Sequence, residues 1–121
     1  MVYDTLIIGG GVSGMQCALV LGSAKEKVFA KDKNIAIIAH QRASHLENAL
    51  FNNVLGLQPK TLGKDVLSNG KEHLKKLYPK INQMDREKVL GIDVIEEGYS
   101  ISTNRNTYRS KIVVIALNYS K

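Results

Sequence analysis

Residues 6–22 read LIIGGGVSGMQCALVLG, and the fold turns on this stretch. A short run rich in branched apolar residues, VYDTLII at positions 2–8, stops at three consecutive glycines. Such a run, bounded by glycine, predicts a buried strand. The apolar, alanine-bearing segment at residues 12–24 predicts a helix starting at once after the turn. Gly9, Gly11 and Gly14 match the spacing G-x-G-x-x-G. A lone match is common, but strand, turn and helix in direct succession is the context that gives it meaning. Gly9 permits the tight exit from the strand, Gly11 lets a phosphate approach the backbone, and Gly14 lets helix and strand pack closely. Ala18 and Gly22 extend a row of small residues that would keep the helix near the sheet. The unpaired N–H groups of the first helical turn, around Val12 and Ser13, favour an anion through their donors and the helix dipole.

Outward from this junction, IAIIA at residues 35–39 predicts a second strand, reached through the charged segment KEKVFAKDKN at 25–34. The segment HQRASHLENALFNN reads as a polar loop with a helical turn near Ser44, and LGLQPKTLG as irregular. A helix is expected over residues 63–77, with Val66, Leu67, Leu74 and Leu77 facing the core and Thr61 as its cap. Gly70 weakens that helix, and Pro79 marks its end. KINQMD at 80–85 is a short strand, and EKVLGIDVIEE, YSISTN and TYRSKIVVIAL alternate as an antiparallel meander. The order predicts one three-layer, Rossmann-like α/β domain over residues 1–121: a parallel sheet, helices against it, and a β-meander on the other face.

Composition narrows the function. Apolar residues make up 44% and charged residues 23% of the 121, an ordinary globular balance. No apolar run is long enough to span a membrane and no signal peptide is read, so no membrane partner is expected. The single cysteine, Cys17, excludes an internal disulfide and a cysteine metal cluster and points to a reducing, cytoplasmic compartment. A net charge of +6 suits an anionic small ligand. Nucleic acid is disfavoured because the lysines scatter and only two Phe, five Tyr and no Trp are available for stacking. Lys71, Lys75, Lys76 and Lys80 recur at helical spacing as a solvated face. Cys17, on an apolar helix, reads as a buried, inert thiol. His45 and His73 lack metal-ligand spacing or a partner base, so no metal site and no catalytic side chain are expected. Asp85, Glu87, Glu96 and Glu97 read as surface charges.

DTLIIGGGVSGMQCALVLG resembles the FAD-binding start of thioredoxin reductase-like flavoproteins, within the pyridine nucleotide–disulfide oxidoreductase group. RASHLENALFNNVLGL is similar to the segment those proteins lay along the flavin, TLGKDVLSNGKEHLKKLYP to their next helix, and KIVVIALN to the strand they end in Ala-Thr-Gly. The resemblance covers essentially the whole chain and implies an FAD-dependent oxidoreductase, with NAD(P)H as electron donor. It places Gly9, Gly11, Val12, Ser13 and Gly14 at the pyrophosphate, residues at the end of the second strand at the adenosine, and the Val89 backbone at adenine. It places Ala116 and Asn118 where the Ala-Thr-Gly would stand, and Asn52 and Asn53 near a flavin.

Three departures from the pattern leave alternatives open. The acid that binds the adenosine ribose is replaced by His40, Gln41 and Arg42. A charge-assisted bond of that kind is worth roughly 1.5–3 kcal/mol, so its loss weakens binding by about 10- to 100-fold. His40 and Gln41 can make neutral hydrogen bonds, and Arg42 can pair with a phosphate or stack on adenine. Leu117 and Asn118 replace the Thr and Gly. The family's later segment, with a Gly-Asp motif that closes over the flavin, lies outside these 121 residues, as does a second glycine fingerprint. Beside the flavoenzyme reading, or its cofactor-binding portion, stands a non-catalytic nucleotide-binding or assembly module that has lost FAD, its open flavin face serving as a homodimer surface. A third reading is an NAD(P)-binding module with Arg42 near a 2′-phosphate.

Overall fold

The computed structural model describes residues 2–39 and 48–117. Ten elements follow in order: β1 (Val2–Ile8), α1 (Val12–Ala24), β2 (Ile35–Ala39), β3 (Leu50–Phe51), β4 (Thr61–Leu62), α2 (Gly63–Leu77), β5 (Asn82–Asp85), β6 (Val89–Ile95), β7 (Gly98–Thr103) and β8 (Thr107–Ile115).

The alternation of strand side chains divides the core in two. On one face of β1 and β2, Ile7, Ile35 and Ile37 meet Met15 and Ala18 of α1 and Leu74 of α2. On the other, Leu6, Ile8, Ala36 and Ile38 meet Ile101 of β7, with Val89 and Tyr108 packed alongside. Strands buried on both faces read as continuous apolar runs, and LII and IAIIA are such runs. Each large aliphatic side chain sealed here contributes about 1.5–3 kcal/mol of transfer free energy. The helix layer, parallel sheet and meander layer are therefore as expected. The meander is also continuous with the sheet. β8 pairs parallel with β1 and antiparallel with β7, giving a single sheet in the order β5-β2-β1-β8-β7-β6.

The helices depart from expectation in detail. Thr61 is not the cap of α2: Leu62 precedes the helix without a side-chain cap bond, and the Thr61 hydroxyl donates to the Gln58 carbonyl. Thr61 instead belongs to a two-stranded ladder of β3 and β4, a pairing too short to show as alternation. Leu77, expected in the core, is 55% exposed. The buried face of α2 runs through Gly63, Leu67, Gly70 and Leu74, and a Cβ at Gly70 would strike the Met15 sulfur. Gly70 is thus where the two helices approach. Gly22 of α1 serves a similar end: a Cβ there would lie 2.6 Å from the Tyr78 ring, so it accommodates Tyr78 rather than the sheet. Lys71, Lys75 and Lys76 are exposed, and the last two lie in the last turn of α2, where the helix dipole favours cations.

Candidate functional site

The chain lays down β1, β2 and β5 in one direction across the sheet and then adds β8 on the far side of β1. Strand order reverses at β1, and in open α/β sheets the crevice beyond the carboxyl ends at such a point is where ligands bind. The glycine turn lies there. Gly9 leaves β1 with φ +122°, a conformation L side chains rarely adopt, and its N–H donates to the Ile38 carbonyl at 2.9 Å. A Cβ at Gly9 would collide with the Ala116 carbonyl, and one at Gly14 with the Gly9 carbonyl. The three residues form one tight knot, closed by the Ala116 N–H donating to Ile8 O at 2.8 Å.

Gly11 caps α1 in an extended conformation, and its carbonyl accepts the first helical bond, from the Met15 N–H at 2.9 Å. No side chain caps this end and no acidic residue occupies its first turn. The N–H groups of Val12, Ser13 and Gly14 point out of the helix start, with no acceptor among the described residues. Val12 and Ser13 are exposed while Gly14 is buried. This donor set, positive at the helix end and free of any capping or acidic side chain, fits a diphosphate.

Gly10 was not singled out by the motif, where it occupies a free position. A Cβ there would stand 2.5 Å from the Ala39 Cβ, so the turn needs glycine at this place too. The run of three glycines was the available signal. Val89 starts β6, two residues after Glu87, whose N–H donates to the Ala39 carbonyl at 3.1 Å. That bond holds Val89 at the same end of the sheet as the glycine turn. The structure therefore brings Gly9, Val12, Ser13, Gly14, Ala116 and Val89 to one edge, with Gly11 as the cap. His40, Gln41, Arg42 and Asn118, and with them Ser44 and His45, lie outside the described residues.

Glu87, expected at the surface, is 6% exposed. Its carboxylate accepts from the Thr103 hydroxyl at 2.8 Å and from the Tyr108 hydroxyl at 2.8 and 2.9 Å. Burial and the bond to Glu87 push the Tyr108 hydroxyl pKa above its usual value. Asn52 accepts from the Lys60 N–H at 2.8 Å, so its side chain is engaged in its own loop. His73 is exposed and stacks on Tyr78 at 6.4 Å. Burial pushes the Cys17 thiol up. Alkylation of Cys17 in the native chain at neutral pH is therefore expected to be at least about tenfold slower than in urea, as read with a chromogenic thiol reagent. Equal rates would show an accessible thiolate.

Searched against protein families, the chain matches no family model. It is 26% identical over 114 residues to a ferredoxin–NADP reductase of Streptococcus pyogenes, a match covering 94% of this chain and 34% of the relative. Its fold superposes on an oxidoreductase from Agrobacterium tumefaciens with a TM-score of 0.82 at 19% identity, over 99% of this chain and 38% of that one. Thioredoxin reductases give similar matches. The S. pyogenes enzyme superposes with a TM-score of 0.76 at 25% identity, over 94% and 34% of the two chains. The Lactococcus lactis enzyme gives 0.78 at 21%, over 98% and 37%. The chain thus spans about a third of the length of its relatives. Its α/β fold is the Rossmann-like fold of FAD/NAD(P)-binding domains in thioredoxin reductases, and the resemblance read from the glycine junction holds.

Proposed function

We propose that this chain is the dinucleotide-binding unit of a flavin-dependent oxidoreductase of the thioredoxin reductase-like kind, folded as a single domain and working in the reducing cytoplasm. The knot of Gly9, Gly14 and Ala116 carries the reading: a Cβ on either glycine would collide with backbone, so the bare glycines seat the start of α1 against the end of β1, with its first N–H groups unpartnered among the described residues. The N–H groups of Val12, Ser13 and Gly14 would hold the FAD pyrophosphate, and the Val89 backbone would border adenine. His40, Gln41 and Arg42 would contact the adenosine, and Asn118 would follow Ala116 toward the ring system. FAD, when bound, supplies two-electron redox chemistry, with NAD(P)H as its reductant. The chain's own residues bind, orient and shield, and no side chain among the described residues is placed as an acid, base or nucleophile.

A second reading, nucleotide binding without redox catalysis, is favoured by one observation: the position of the ribose-binding acid holds His40-Gln41-Arg42 instead. Visible absorbance of the purified chain, followed by titration with FAD, ADP and NADPH, separates the readings. Yellow protein and tightest binding of FAD support the flavoprotein. Equal binding of ADP and FAD supports the module without catalysis, and selective NADPH binding an NAD(P) site. No saturable binding of any of the three would sink the proposal.

A further inference from the structure

The segment between α1 and β2 has features the proposed nucleotide site does not explain. Its tip carries Val28 and Phe29, which are 88% and 76% exposed. The tip is held in place by a built turn. Ala30 is buried and its N–H donates to the Lys27 carbonyl at 3.1 Å, and the Lys33 N–H donates to Ala30 at 3.1 Å. The Lys25 ammonium donates to the carbonyls of Lys31 and Lys33, and the Asn34 N–H donates to Asp4 at 2.8 Å. Lys25, Lys27, Lys31 and Lys33 flank the apolar pair in sequence, and Lys80 shares a shallow cavity with Lys25, Lys31 and Glu26. The acids in the same segment are Glu26 and Asp32, and Asp4 lies 4.0 Å from Lys33.

We propose that this tip docks the protein on an anionic lipid surface. Two projecting apolar side chains enter the interface, and the exposed Lys27 and Lys31 on either side of them meet lipid phosphates. Burying a Phe side chain is favourable, and each lysine near a charged leaflet adds a further increment. A peptide partner fits less well, because a helix or strand docks in a groove or on a sheet edge. The neighbouring cavity lies between Gly22, Lys25, Tyr78 and Ile81, and the apolar pair is not part of it. Among the described residues no helix is long and apolar enough to cross a membrane. The expectation of no membrane partner rested on the lack of a span, and a surface contact requires none. The geometry is also productive. The segment feeds the amino end of β2, while the glycine turn follows the carboxyl end of the parallel β1, so a docked chain would keep its nucleotide crevice turned away from the bilayer.

The chain contains no Trp, so Phe29→Trp gives a single emission probe at the tip. Mixed with vesicles of phosphatidylcholine and phosphatidylglycerol, this variant should show blue-shifted emission, reversed by salt, and no shift with phosphatidylcholine alone. Phe29→Ser should reduce co-sedimentation of the full chain with the anionic vesicles about tenfold or more. Lys27→Glu and Lys31→Glu should each reduce it about fivefold. These positions are exposed, so unchanged melting curves are expected and serve as the control for folding. An unshifted Trp spectrum overturns the proposal. So does a Phe29→Ser chain that sediments like its parent, which would mean that net charge alone draws it to vesicles.

Discussion

Gly14→Ala is expected to abolish nucleotide binding and to cost the fold about 3 kcal/mol or more. The added methyl would meet the Gly9 carbonyl oxygen, with the Ala116 Cβ 3.5 Å away on the other side. Gly9 cannot yield. Its N–H is bonded to Ile38 O at 2.9 Å, and the Ala116 carbonyl stands where a Cβ of Gly9 would be. The helix must therefore retreat from the sheet, losing contact between Met15, Ala18 and the isoleucines beneath, and carrying the amides of Val12 and Ser13 away from the crevice. Hydrogen bonds to a phosphate weaken steeply beyond their normal length, so a shift of about 1 Å suffices to lose the ligand. Gly91→Ala is the control. Nothing lies within 4 Å of a Cβ there, and stability should stay within about 0.5 kcal/mol of the parent. Urea unfolding of both variants, with ADP and FAD titrations at matched concentrations, reads the two effects. A Gly14→Ala chain that unfolds and binds like its parent would remove the basis for the proposed site.

The same collision explains why the glycine turn was legible in the sequence and much of its surroundings was not. G-x-G-x-x-G works through backbone near in sequence: Gly14 answers to Gly9, five positions away. β1, α1, β2 and α2 were legible too, because their apolar periodicity or glycine punctuation is local. The contacts of Gly70 and Gly22 were not legible because their partners, Met15 of α1 and Tyr78 at the end of α2, lie 55 and 56 positions distant in sequence. Leu77 fits the helical period but lies beyond the reach of the sheet, so period alone placed it wrongly. Glu87 carries no sign of burial in its neighbours Arg86 and Lys88. Only the return of β7 and β8 over the sheet brings two hydroxyls to it. After β2 the departures at His40, Gln41 and Arg42 were visible as residue types, and their placement is outside the described residues.

Glu87→Ala is expected to destabilise the chain by about 2–4 kcal/mol, more than an acid in a charged stretch would suggest. The carboxylate is the shared acceptor of two hydroxyls from different strands, so it ties the meander to the carboxyl end of β2, where its own N–H holds Ala39. With the acceptor gone, the Thr103 hydroxyl can turn to the Asn106 carbonyl, 3.1 Å away. Tyr108 has no such second acceptor among the described residues, so its half-buried hydroxyl bears most of the loss. Glu87→Gln, which keeps one acceptor oxygen, should cost about 1 kcal/mol. In a Glu87→Ala, Tyr108→Phe chain the orphaned hydroxyl is removed, and the combined loss should fall short of the sum of the single losses. The Tyr108 pKa adds a pH signature. It is raised in the folded chain by burial first and by Glu87 next, from 10.0. The folded state thus holds this proton more tightly than the unfolded state, so the associated stability is full below about pH 10 and is lost as pH rises through the folded value. Tyr108→Phe should flatten that alkaline decline in urea midpoints, whereas an exposed tyrosine would leave it unchanged. Additive single losses, together with an unaltered alkaline limb, would show that the three side chains do not act as one unit.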